Sequence, residues 1–158
     1  MKKKRGLLIL ILLTLIMGIV TLALVTIHSK TKSDNEIKED KSLITKIQSK
    51  VSNSNYLDLN TVTDFQWDKV YIVTPYSILE TIFEENKIKP ANIDKSIEIL
   101  DDINLVVFTL NKTIVAYVNL PRNIGDFYFQ RYMEFDKSVA AFNITKDKNG
   151  IKLSPRKQ

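Results

Sequence analysis

The side chains able to do chemistry in this chain of 158 residues are few in kind. Cysteine is absent, which excludes a thiolate nucleophile, disulfides, thiolate metal sites and a lipidated cysteine. The single histidine is His28, at the end of a long apolar stretch, where an amphipathic ring sits at a membrane interface. Without a second imidazole, zinc would have to be held by carboxylates alone, which is not its usual donor set, and a Ser-His-Asp triad lacks its base. The Asp-x-Asp-x-Asp-Gly pattern of a calcium loop is missing too. No metal and no cofactor are expected.

Carboxylates are more plentiful. Asp64 and Asp68 flank Trp67, and Asp101-Asp102 precedes an apolar run. Two acids facing across a cleft at about 5–10 Å could hydrolyse a glycosidic bond. Their plainer use is to solvate a turn and a strand entrance. Trp67, Tyr71, Tyr76, Phe127, Tyr128, Phe129, Tyr132 and Phe135 could line a groove for a peptide, sugar or lipid; the plainer use is core packing. Arg122, close to Gly125-Asp126, could bind a carboxylate or pair with an acid of its own loop. The Asn-x-Thr triplets at Asn111 and Asn143 are read as chance.

The net charge of +5 is concentrated at the ends. Lys2, Lys3, Lys4 and Arg5 precede the apolar stretch, and Arg156 and Lys157 close the chain, whereas residues 42–155 carry 13 basic against 14 acidic side chains. A nucleic-acid binder gathers positive charge where phosphates lie, so nucleic acid is not an expected partner.

Gly6 to Ile27 is a run of 22 residues without a charge. As a helix it would reach about 33 Å, the thickness of a hydrocarbon core. It is longer than a cleavable signal segment and has no clean small-x-small site after it, so it reads as an uncleaved signal-anchor, a single-pass transmembrane helix. The basic cluster before it places the N-terminus in the cytoplasm and the rest outside the cell membrane. The expected organisation is therefore a basic N-terminus (1–5), a transmembrane helix (6–27), a polar stalk (28–42), one extracytoplasmic α+β domain (43–154) and a basic tail (155–158).

Within that domain, Leu43, Ile44, Ile47 and Val51 recur at helical spacing with Ser42 as N-cap. Residues 65–74 read as a strand covered on both faces, because Val70 to Val73 are apolar without alternation. Thr74-Pro75 then predicts a helix carrying Tyr76, Leu79, Ile82 and Phe83 to Asn86-Lys87. Residues 103–110 and 113–120 predict two strands joined by a two-residue turn at Asn111-Lys112. Residues 127–135 fit no class, 139–145 predict a strand, and 151–153 a short last one after Lys148-Asn149-Gly150. The expected fold is one antiparallel sheet of four or five strands with helices packed on one face.

The segments Asp64 to Tyr76, Asp102 to Phe108 and Pro121 to Phe127 resemble a group of small exported or membrane-anchored hypothetical proteins of Gram-positive bacteria. These pair an FxWDKxYxxxPY segment with a PRxxGDF segment, and the resemblance covers about Phe65 to Ile144. Many members look like lipoproteins, whereas this chain has no cysteine to lipidate. The resemblance implies no activity. It does imply that Trp67, Asp68, Tyr71, Pro75, Tyr76, Arg122, Asp126 and Phe127 belong to one structural or recognition unit. The expected role is a non-enzymatic binding or interaction module of the cell envelope. The alternatives are a carboxylate-based envelope hydrolase and an accessory subunit of a membrane complex.

Overall fold

The computed structural model describes residues 14–23, 37–127 and 129–156. The chain divides into two units, Met1–Glu36 and Ile37–Gln158. In the first, residues 14–23 are an α-helix (α1) with every side chain exposed. Thr21 Oγ1 donates to the carbonyls of Met17 and Gly18, as a threonine in an apolar helix should. Among the described residues no helix is long and apolar enough to cross a membrane. The expected span 6–27 runs past α1 on both sides: residues 1–13 and 24–36, with His28 and most of the stalk, lie outside the described residues, as do Tyr128, Lys157 and Gln158.

The second unit begins at Ile37. Residues 37–42, expected to end the stalk, are held by the domain: Asp40 N–H donates to Tyr117 O (2.9 Å) and Asn119 N–H to Glu39 Oε1 (2.9 Å). Helix α2 (Lys41–Asn53) buries Leu43, Ile47 and Val51, one stripe at i, i+4, i+8. Its N-cap is Asp40 rather than Ser42. The Asp40 carboxylate accepts from the N–H groups of Ser42 and Leu43 and from Ser42 Oγ, and an ionised acceptor at the positive end of a helix outcompetes a hydroxyl.

The expected single sheet is a pair of four-stranded sheets. The first is antiparallel throughout, in the order β4 (Thr113–Pro121), β3 (Ile103–Leu110), β2 (Lys69–Val73), β6 (Tyr132–Asp136). The second runs β1 (Tyr56–Asp58), β7 (Ala141–Asp147), β8 (Gly150–Pro155), β5 (Asp126–Phe127), with β5 parallel to β8. The reason is burial. Val70, Tyr71, Ile72 and Val73 are all at most 0% exposed, so β2 needs cover on both faces, as its unbroken apolar run predicted. One side, with Val70, Ile72, Val106, Phe108 and Val118, packs on α2 and the second sheet. The other, with Tyr71, Val73, Leu105 and Val107, packs under helix α3 (Leu79–Glu85) and the segment 88–97. Helices on one face alone would leave the first of these sides in water.

The β3–β4 hairpin turns at Asn111 (φ 50°) and Lys112 (φ 62°), the positive pair that a two-residue turn needs. Helix α3 starts at Leu79 and not at Thr74-Pro75. Thr74 Oγ1 donates to Arg131 O (2.8 Å) instead of capping a helix, and Tyr76 takes φ 62°, which no helix continues through.

Candidate functional site

The eight residues singled out by motif fall at three places. At one end of β2, Trp67 is buried against Phe108 (centroids 5.1 Å, 74°), and its Nε1–H donates to Thr63 Oγ1. Next to it Asp68 ties the hairpin: its Oδ2 accepts Asn111 N–H at 2.7 Å and its Oδ1 accepts Thr109 Oγ1 at 3.3 Å. Removing this carboxylate (Asp68→Ala) strips a strained turn of a charge-assisted bond. Urea unfolding at neutral pH is expected to show a loss of about 2 kcal/mol. Tyr71 is fully buried, with Lys112 Nζ 3.3 Å from its hydroxyl. Burial first, and then the Glu134 charge, push that hydroxyl up to about 12, so Tyr71 cannot serve as a base at ordinary pH.

At the other end of β2, Pro75 and Tyr76 form a turn. The third place is a clasp. Arg122 grips Asp126 in a fork, Nε to Oδ1 at 2.8 Å and Nη2 to Oδ2 at 2.7 Å, while its Nη1 donates to Asp101 O at 2.7 Å. The buried Asn104 adds Nδ2 to Asp126 Oδ1 at 3.3 Å. Burial pushes the Asp126 carboxyl up, but hydrogen bonds from Arg122 and Asn104 and the charges of Arg122 and Lys152 outweigh it and hold the group below its ordinary value. Gly125 lets β5 close onto β8, since a Cβ there would stand 2.7 Å from Leu153 Cδ1. Phe127 goes into the core. The PRxxGDF segment is thus a fastening: arginine and aspartate lock the loop, glycine allows the approach, phenylalanine fills the core.

Among the described residues the candidate acids are exposed or engaged by other groups. Asp64 is exposed and bonded to Lys46 (2.8 Å), Asp68 and Asp126 are engaged as above, and Asp101 and Asp102 are exposed in the bend before β3. Glu134 and Asp136 on β6 share Lys69, at 3.6 and 2.7 Å. Among the described residues no three His, Cys, Asp or Glu side chains are placed to hold a metal ion.

What remains without an internal role is the turn at Pro75-Tyr76. Tyr76 is 64% exposed although its N–H donates to Ile97 O at 2.8 Å and its φ is positive. A non-glycine residue in that conformation costs about 1–3 kcal/mol, and here no burial of the ring offsets it. Ile78 (58% exposed) lines the same turn, and Ile99 (76%) and Leu100 (42%) follow Ile97, whose carbonyl accepts the Tyr76 N–H. Glu98 holds the two segments together, its Oε1 accepting Leu79 N–H at 3.1 Å. A shallow depression of about 450 Å³ lies between Tyr76, Ile78, Thr81 and Arg131. The sequence marked Tyr76 but missed Ile78, Ile99 and Leu100. The signal for the last two was an apolar pair in a segment with neither helical nor strand period.

No family model, no curated protein and no solved structure matches the chain.

Proposed function

We propose that the chain is a single-pass, membrane-tethered interaction module whose extracytoplasmic domain holds another protein of the cell envelope through the Tyr76 surface. The observation that carries this reading is an aromatic ring displayed to solvent from a strained backbone, with the exposed Ile78 lining the same depression. Aromatic anchors with aliphatic neighbours and an arginine at the edge, here Arg131, are the composition of protein–protein hot spots. The charge-free run Gly6 to Ile27 and the basic cluster before it supply the tether and its direction.

Glycine adopts positive φ freely, so Tyr76→Gly relieves strain in the folded state while loosening the unfolded chain. Thermal unfolding is expected to stay within about 1 kcal/mol of the parent. Partner capture should nevertheless be lost, as read by a photo-crosslinking amino acid at Ile78 in the full-length protein in its own membrane. Unfolding of the glycine variant, or adducts at Ile78 that survive it unchanged, would make Tyr76 a structural residue and remove the reading. Exchanging residues 6–27 for an unrelated spanning helix separates this module from an accessory subunit held by its anchor. The module keeps its adduct; the subunit loses it.

A further inference from the structure

Along the sequence, positive charge in the domain looks dispersed; in space it gathers. Helix α2 carries Lys41, Lys46 and Lys50 and no acid, β7 and β8 bring Lys146 and Lys152, and the chain past β8 places Arg156 over the Tyr56 ring that Lys50 of α2 also reaches. Asp64 and Asp147 answer Lys46 and Lys152 there, and three further acids, Glu80, Glu84 and Glu85, stand on α3. Around the C-terminal half of α2 runs an open trough of about 600 Å³, lined by Lys46, Ser49, Lys50, Asn53, Tyr56 and Thr61. A second depression adjoins it through Asn53 and Ser54 and ends at Lys146.

The cations in and beside these depressions are not equivalent. Lys46 is bonded to Asp64, and Lys146 Nζ donates to Ser52 O at 3.0 Å, where it neutralises the negative end of α2. Lys50 and Arg156 have no carboxylate partner among the described residues. Both sit on the Tyr56 ring, at 5.1 and 5.2 Å from its centroid. Two cations, drawn from positions 106 residues apart, are thus fixed on one half-exposed ring, amid serine, threonine and asparagine side chains.

We infer that this trough binds an anionic polymer with hydroxyl groups on its backbone, a phosphate-bearing polyol chain. Lys50 and Arg156 take its phosphates, and the hydroxyl and amide side chains take its hydroxyls. The trough is open, unlike the enclosed pockets that hold small molecules, so an extended chain suits it better than a compact ligand. It offers no aromatic besides Tyr56, whose ring is engaged by the two cations, so a nucleobase has no platform to stack on.

The test is calorimetric titration of the full-length protein, in nanodiscs of zwitterionic lipid, with poly(glycerol phosphate). Lys50→Gln with Arg156→Gln is expected to weaken binding at least about tenfold. The charge-preserving exchange Lys50→Arg with Arg156→Lys should keep most of it. Lys148→Gln, in the exposed β7–β8 turn, should leave it unchanged, and circular dichroism checks that each variant is folded. The cluster Lys2 to Arg5 is common to all variants and sets the same background. Equal binding by the double glutamine variant, equal competition by an oligonucleotide of the same charge, or preference for vesicles of anionic lipid would each overturn the inference. None of these outcomes bears on the Tyr76 surface, which uses other residues.

Discussion

Replacing Phe142 by alanine is expected to destabilise the domain by about 4 kcal/mol, a large part of the 5–15 kcal/mol that holds a domain of this size together. Phe142 lies on β7 in the second sheet and is fully buried. Its ring meets Phe135, from β6 of the first sheet, edge-on at 5.0 Å and 81°, and Phe127 of β5 at 4.9 Å and 79°. Phe129 leans on both Phe127 and Phe135 at about 6 Å. Edge-to-face pairs add about 0.5–1.5 kcal/mol each to the area they bury, and Phe142 makes two. The void left by alanine lies between the two sheets, so it cannot collapse without moving a strand. Denaturant unfolding should show the loss as a lower midpoint with unchanged slope, and the melting temperature should fall by more than about 10 °C. Phe65→Ala is the comparison: Phe65 is half-buried and touches Phe108 at 5.3 Å, so its loss should be clearly smaller. Equal losses at the two positions would mean that the sheets are not joined through the Phe142 cluster.

That cluster also marks the boundary of what the sequence could say. β2, β3 and β4 were legible because their signals are local. Val70 to Val73 lack alternation, and Asn111-Lys112 is a two-residue link that asparagine can open at positive φ. Of the second sheet only β7 and β8 were legible, at 139–145 and 151–153; its first strand, Tyr56–Asp58, is three residues long and pairs with residues 141–143, and β5 is a two-residue strand with a parallel partner in β8. Short pairings distant in sequence leave no period to read. The start of α3 was misplaced because Thr-Pro is a good local helix start, and the bond of Thr74 to Arg131 that overrides it is tertiary. Of the functional surfaces, Arg122 with Asp126 was visible as a pair four residues apart. The trough was hidden, since a chain-end arginine reads as a tail until the fold brings it to Tyr56.

The clasp gives the second large effect, and a pH dependence of definite sign. Asp126 is held below its ordinary value of 3.8 in the folded domain. A carboxyl of that kind contributes stability that is fully present above the unfolded pKa of about 4 and is lost as pH falls through the lower folded value. Arg122→Ala removes both arms of the fork and the bond to Asp101 O, and leaves a carboxylate only 22% exposed with the Asn104 amide and the more distant Lys152 charge to favour it. Stranding one partner of a fully buried pair costs about 3–5 kcal/mol; with side chains 35% and 22% exposed, about 2 kcal/mol is expected at pH 7. Without the arginine, burial dominates and Asp126 titrates above its unfolded value, so the variant should gain stability relative to the parent as pH falls towards 3. The difference between the two should therefore shrink at acid pH. Arg122→Lys keeps the charge but not the fork and should fall between. Arg122→Met combined with Asp126→Asn removes the charge and the need for its partner together, and should recover part of the loss. A loss at Arg122→Ala that is the same at pH 3 and pH 7 would mean that the arginine acts through its packing and its bond to Asp101, and that Asp126 is indifferent to it.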